Sequence, residues 1–204
     1  MQKITDVVIF GIGAAGSRTF IHLLYPMPAL NYTVVDFDKV ESRNVEPGTQ
    51  VYARSDINRF KTQALQRIAM QERRKKINVV NKRITSTQDI IDIIPNPEST
   101  LIVDAFDNAE SRNLFIGLSS EYNVIHIGFS AGLTGEAVWN DVFSPMESSK
   151  ADGSIDVCEQ TDAKMFIERL ASYAAQSIKR FIEQGKRRNL FHQFEPPNEK
   201  HWDS

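Results

Sequence analysis

An apolar, largely β-branched run, Val7-Val8-Ile9-Phe10, empties directly into Gly11-x-Gly13-x-x-Gly16, and this junction constrains the chain more than any other stretch. It has the form of a strand, a glycine turn and a helix start, the arrangement that sets a nucleotide phosphate against free backbone N–H groups at a positive helix end. In that arrangement Gly11 permits the tight turn, Gly13 lets the backbone approach the phosphates, and Gly16 lets the helix pack close to the strand. A second apolar run from Tyr32 ends at Asp36, about where an acid reaches a ribose hydroxyl. The pattern predicts a nucleotide-binding α/β unit. By itself it does not separate NAD, FAD, S-adenosylmethionine and ATP.

The rest of the chain alternates strand-like and helix-like segments, so the expected fold class is α/β: a Rossmann-like, mostly parallel sheet with helices on both faces, in a single domain. Strands are expected at Thr5–Phe10, Tyr32–Phe37, Ile77–Ile84, Leu101–Ala105, Val124–Gly128 and Glu136–Phe143. Helices are expected over Gly16–Tyr25, Asn58–Arg74, Ser86–Ile93, Asn108–Tyr122 and Thr161–Gln184, the last with Gly185 as its C-cap. The polar stretch from Asp38 to Asp56, with Pro47 and Gly48, is too long for an ordinary connection, and loops of that length often carry function. Ser144–Gln160 reads as a second, mobile loop. Residues 1–186 are taken as the nucleotide-binding domain and 187–204 as a polar C-terminal tail that is flexible or orders against a partner.

Bulk properties narrow the partners. A length of 204 residues with 41% hydrophobic and 25% charged residues suits one globular domain with a real core. A formal charge of -2 gives no electrostatic reason to expect nucleic acid or a membrane surface. No apolar run reaches the ~18 residues of a membrane span, and the first residues carry no signal-peptide hydrophobic region. With a single cysteine, Cys158, no internal disulfide can form, which suits a cytoplasmic location. The four histidines show no metal-ligand spacing, and His126, within an apolar strand, reads as a core histidine. The basic run Arg73–Lys76 reads as a solvated helix end.

Several further residues fall into a recognisable order. The glycine turn, Asp36-Phe-Asp38-Lys-Val40-Glu-Ser-Arg-Asn44, Lys61 opening a helix, Asp104-Ala-Phe-Asp107-Asn108 with Arg112, and Gly132-x-x-Gly135-Glu resemble the ThiF/MoeB family, the adenylating core shared by ubiquitin-activating-like enzymes. The resemblance runs from about Val7 to Lys186. It implies an ATP-dependent adenylyltransferase that activates the C-terminal glycine carboxylate of a small ubiquitin-like or sulfur-carrier protein and releases pyrophosphate. Gly11, Gly13, Gly16, Asp36, Asp38, Asn44, Lys61, Asp107 and Asn108 would then bind ATP. Asp36 would hold the ribose, Asn44 would lie beside the phosphates, Lys61 would neutralise their charge, and Asp107 would bind Mg²⁺ or orient the nucleotide. Phosphoryl chemistry asks for such positioning and for cations where negative charge gathers. A homodimer is the default that the resemblance implies.

The departures from the family are as specific. Where relatives carry an Arg-Gln pair shortly after the asparagine, this chain reads Asn44-Val-Glu-Pro47-Gly48, and Arg54 or Arg59 is the available substitute if the loop folds back. The paired CxxC motifs of many relatives are missing, so no structural zinc is expected. The helical arm that often lends an arginine to a neighbouring subunit is not expected before Val7. Cys158 lies just before the last helix, where sulfur-carrier-activating relatives place a cysteine that takes over the acyl group, and a thiolate is the right nucleophile for an acyl-adenylate. Two other functions fit part of the pattern: a degenerate partner subunit that keeps the fold without turning over ATP, and an NAD(P)-dependent oxidoreductase, which leaves Lys61 and Asp107-Asn108 unexplained.

Overall fold

Val7, Val8, Ile9 and Phe10 have no solvent exposure at all, as expected of a strand covered on both faces of a parallel sheet. A computed structural model of the chain describes residues 3–46, 48–118, 121–130, 133–143 and 162–193. Its strands are β1 (Asp6–Phe10), β2 (Asn31–Val35), β3 (Asn78–Val80), β4 (Thr100–Asp104), β5 (Asn123–Phe129), β6 (Thr134–Trp139) and β7 (Leu190–Gln193). They form one sheet in the order β3-β2-β1-β4-β5-β6-β7. The first five are parallel, with Phe10 opposite Val35 on one side and Asp104 on the other. The last two run antiparallel.

The helices are α1 (Ala14–Leu24), α2 (Ser42–Val45), α3 (Lys61–Arg73), α4 (Thr87–Ile91), α5 (Ala109–Asn113) and α6 (Ala163–Gln184). On one face of the sheet Phe20 and Leu24 of α1, Leu65 of α3 and Phe166, Leu170 and Ile178 of α6 join the larger apolar core. On the other, Ile90 of α4 and Phe115 pack against Val8, Phe10, Ile102 and Val124. Burying each such side chain stabilises the fold by about 1.5–3 kcal/mol. Along α6 Phe166, Ile167, Leu170, Ala174, Ser177 and Ile178 recur at three and four and are buried, whereas Tyr173 in the same stripe is exposed; Gly185 ends the helix in the left-handed conformation (φ +68°) with its N–H on Phe181 O.

Several elements differ from the sequence-based expectation. The strand expected over Glu136–Phe143 is Thr134–Trp139 with a turn from Asn140, and α2 lies in the stretch read as a loop. The helix expected over Asn108–Tyr122 stops as α-helix at Asn113 and tightens into a 3₁₀ turn, Leu114–Gly117. Thr87 of α4 donates its hydroxyl to Leu114 O (2.9 Å), and its side chain lies against Gly117, so a neighbouring element occupies the next turn's place. The strand expected over Ile77–Ile84 pairs only at residues 78–80. Beyond residue 186, inside the stretch read as a tail, Leu190–Gln193 forms β7 on the edge of β6. Asn189 Oδ1 accepts the Trp139 N–H (2.8 Å), and Arg188 O accepts the Ser177 hydroxyl (2.7 Å). These polar anchors, rather than apolar periodicity, bring the segment to the sheet.

Candidate functional site

The carboxyl ends of the parallel strands open onto one cavity of about 760 Å³. Its floor is the glycine turn. Gly11 has φ +77°, and a Cβ there would sit 2.8 Å from Ala105 O, so only glycine lets β1 and β4 come together. A Cβ on Gly16 would overlap the Gly11 carbonyl. Gly13 is different: it lines the cavity, and nothing lies within 4 Å of where its Cβ would be. No side chain caps the start of α1, its first turn carries no acid, and Ala14 and Ala15 line the same cavity. A free helix N-terminus facing open space suits an anion.

Asp36, just past β2, is tied into this floor. Its Oδ2 accepts the Ile12 N–H (3.0 Å) and its Oδ1 the Asp38 N–H (2.8 Å). Burial raises its carboxyl above the usual 3.8, a rise opposed by the Lys61 ammonium and by the two backbone bonds. Lys61 opens α3 and is 7% exposed. Its backbone N–H bonds Asp38 O (2.9 Å) and its Nζ bonds Asp38 Oδ2 (3.1 Å), which fixes an ammonium at the cavity wall. Asn44 of α2 also lines the cavity, with its Oδ1 accepting the Glu41 N–H (2.8 Å).

Past β4, Asn108 caps α5 by accepting the Ser111 N–H (2.8 Å). Asp107 is therefore not the cap. It is exposed to the cavity, with a long bond from its neighbour Asn108 (3.4 Å). Arg112 is buried in the far wall, 3.6 Å from Asp104 and 3.2 Å from Glu136 across Gly128, where any Cβ would overlap its guanidinium. His126 is the core histidine expected: Nδ1 meets Asp104 Oδ2 at 2.9 Å and the ring stacks on Phe143.

Thus Gly11, Gly13, Asp36, Asp38, Asn44, Lys61, Asp107 and Asn108 share one cavity, with Gly16 packed behind the turn. Cys158, Gly132 and Pro47 lie outside the described residues. Neither arginine offered as a substitute lines the cavity: Arg59 is exposed, and Arg54 pairs with Glu46. The arginines that do are Arg43, paired with Glu41 (2.6 Å), Arg83 and the buried Arg112. Gln50, Arg83, Glu110 and Ser111 are further lining residues that sequence reasoning passed over, since only the folded loops bring them there. Four cationic side chains (Arg43, Lys61, Arg83, Arg112) face four carboxylates (Asp36, Asp38, Asp107, Glu110), so among the described lining residues there is no excess positive charge. Among the described residues no cluster of three metal-binding side chains exists. No helix among the described residues is long and apolar enough to cross a membrane.

Comparison with known proteins agrees with this geometry. E. coli MccB with AMPCPP and selenomethionine MccA superposes with a TM-score of 0.67 at 14% identity, covering 95% of this chain and 64% of that one. E. coli MccB with ATP gives 0.65 at 16% identity over 95% and 64%, and PaaA gives 0.67 at 17% over 94% and 64%. This chain therefore has their fold and spans less than two thirds of their length. No curated protein matches it in sequence. A profile described as ThiF family matches residues 2–193, nearly the whole sequence. With that match, the shared fold and the glycine-turn cavity, this chain belongs to the ThiF family.

Proposed function

We propose that this chain is an ATP-dependent adenylyltransferase that activates the C-terminal glycine carboxylate of a small ubiquitin-like or sulfur-carrier protein. The observation that supports this most is a single cavity holding an uncapped α1 N-terminus, the buried Asp36 carboxylate, the fixed Lys61 ammonium and the open Asp107 carboxylate. In this reading Asp36 accepts the ribose hydroxyls and the turn amides lie under the phosphates. A substrate carboxylate oxygen attacks the α-phosphorus, the bond to the bridging oxygen breaks, and pyrophosphate leaves. Lys61 offsets the charge that develops there. A Mg²⁺ at Asp107 would supply further positive charge to the phosphates. Cys158 then takes the acyl group as a thioester and expels AMP. A peptide-sized partner is in keeping with the MccB structure that contains MccA. A cytoplasmic homodimer completes the proposal.

ATP–pyrophosphate exchange with Mg²⁺ tests it. Exchange that depends on a carrier ending in Gly-Gly is the expected result, and saturable NAD binding without ATP binding would sink the reading. Cys158→Ala is expected to keep exchange and lose the covalent carrier adduct; an intact adduct rejects the cysteine's role. One observation favours a second reading, a non-catalytic partner subunit: the loop after Asn44 has no arginine on the cavity, Arg54 and Arg59 both being placed elsewhere. Tight ATP binding with no exchange for any carrier would decide for it.

A further inference from the structure

The loop after α2, the one that lacks the family arginine, is tied down from two sides. Arg18 of α1 donates Nε to Thr49 O and Nη2 to Gly48 O, both at 2.6 Å, while its Nη1 pairs with Glu168 of α6. Glu168 also meets His22 Nε2 (2.9 Å), so α1, α6 and the loop share one polar knot. Gly48 takes φ +81°, which lets the loop reverse there. On the other side Tyr52 donates its hydroxyl to Ile12 O (2.6 Å), inside the glycine turn. Both anchors belong to the turn and the first half of α1. What they hold in place is Gln50.

Gln50 lines the cavity, and its Oε1 is buried with no hydrogen-bond partner among the described residues. Buried polar atoms are nearly always satisfied, by protein, water or ligand. Beside that oxygen the same amide carries two N–H donors, and these are what Gln50 can offer a phosphate in the cavity. The neighbours of Gln50 on either side, Thr49 on Arg18 and Tyr52 on Ile12 O, tie this stretch to the glycine turn and the first half of α1. We infer that Gln50 is a nucleotide-phosphate ligand standing in for the missing arginine, with Arg18 as the residue that positions it. The inference rests on the nucleotide reading of the cavity. A neutral donor makes the hydrogen bond of an arginine without its charge, which leaves charge balance to Lys61 and the metal.

Titration calorimetry with Mg²⁺ separates the possibilities, using ATP and adenosine as probes on the whole chain. Gln50→Ala is expected to weaken ATP by about tenfold or more, the cost of one charge-assisted hydrogen bond, and to leave adenosine and the melting temperature of the unliganded protein unchanged. Gln50→Arg should bind ATP at least as tightly as the parent. Arg18→Lys should weaken ATP in the parent and add nothing in the Gln50→Ala background, as a residue acting through another must. The inference is overturned if Gln50→Ala keeps its ATP affinity, or if it loses ATP and adenosine in equal measure. A parent protein that binds neither probe overturns the nucleotide reading itself.

Discussion

Gly13 and Gly16 are three residues apart and answer to different constraints. A methyl on Gly16 meets the Gly11 carbonyl and Ala105, so Gly16→Ala must force α1 away from β1 and is expected to destabilise by roughly 3 kcal/mol or more. A methyl on Gly13 meets no protein atom within 4 Å, so its cost to the fold is small, while the methyl occupies space over the turn. Urea denaturation beside ATP titration should therefore show Gly16→Ala losing stability and Gly13→Ala losing chiefly affinity. Asp36 adds a pH signature. Its carboxyl is raised above 3.8 mainly by burial, so the folded protein keeps that proton to higher pH than the unfolded chain does. The group's favourable contribution is thus complete below 3.8 and is lost as pH rises through the folded value. Urea midpoints measured across this range should fall less steeply in Asp36→Asn than in the parent. An identical slope in both would contradict the assignment. These roles were legible in the sequence because glycine and acid sit in one contiguous motif. Gln50 and Arg18 were not, since nothing in their neighbours reveals that a loop will be folded onto the start of α1.

Elements with a long period announce themselves, and short ones do not. The 22 residues of α6 repeat an apolar stripe often enough to mark the helix and most of its buried face, Tyr173 being the exposed exception. The four residues of α2 have no period to read, and the four of β7 leave Phe191, their largest apolar side chain, 69% exposed. What makes β7 a strand is its partner: β6 offers an unpaired edge, and Asn189 takes the Trp139 N–H. Ending the chain at Lys186 would remove that edge cover and leave the Ser177 hydroxyl and the Trp139 N–H without these acceptors. A thermal melt of such a truncation is expected to lie roughly 5–10 °C below the parent, as a loss of about 2–3 kcal/mol implies for a chain of this size. An unchanged melting temperature would make β7 an ornament of the sheet.

At the scale of the whole molecule the sheet has two halves with different work. The five parallel strands hold the cavity at their carboxyl ends, and the antiparallel β6 and β7 extend the platform on which α6 lies. β1 is flanked by β2, close in sequence, and by β4, which arrives only after four helices and two strands have passed. The second contact is the one that builds the site, for Ala105 N–H bonds Phe10 O and Ala105 presses on Gly11. Joining β1 to β4 is therefore the long loop closure of this fold, the kind of event that sets the pace of folding. A ligand has nothing complete to grip until that closure is made. Nucleotide should then act as a brake and not as a template: in stopped-flow traces with ATP and Mg²⁺ the unfolding limb slows while the refolding limb stays where it was. The protein must find its central strand pairing unaided, and the ligand only prolongs the time for which it is kept.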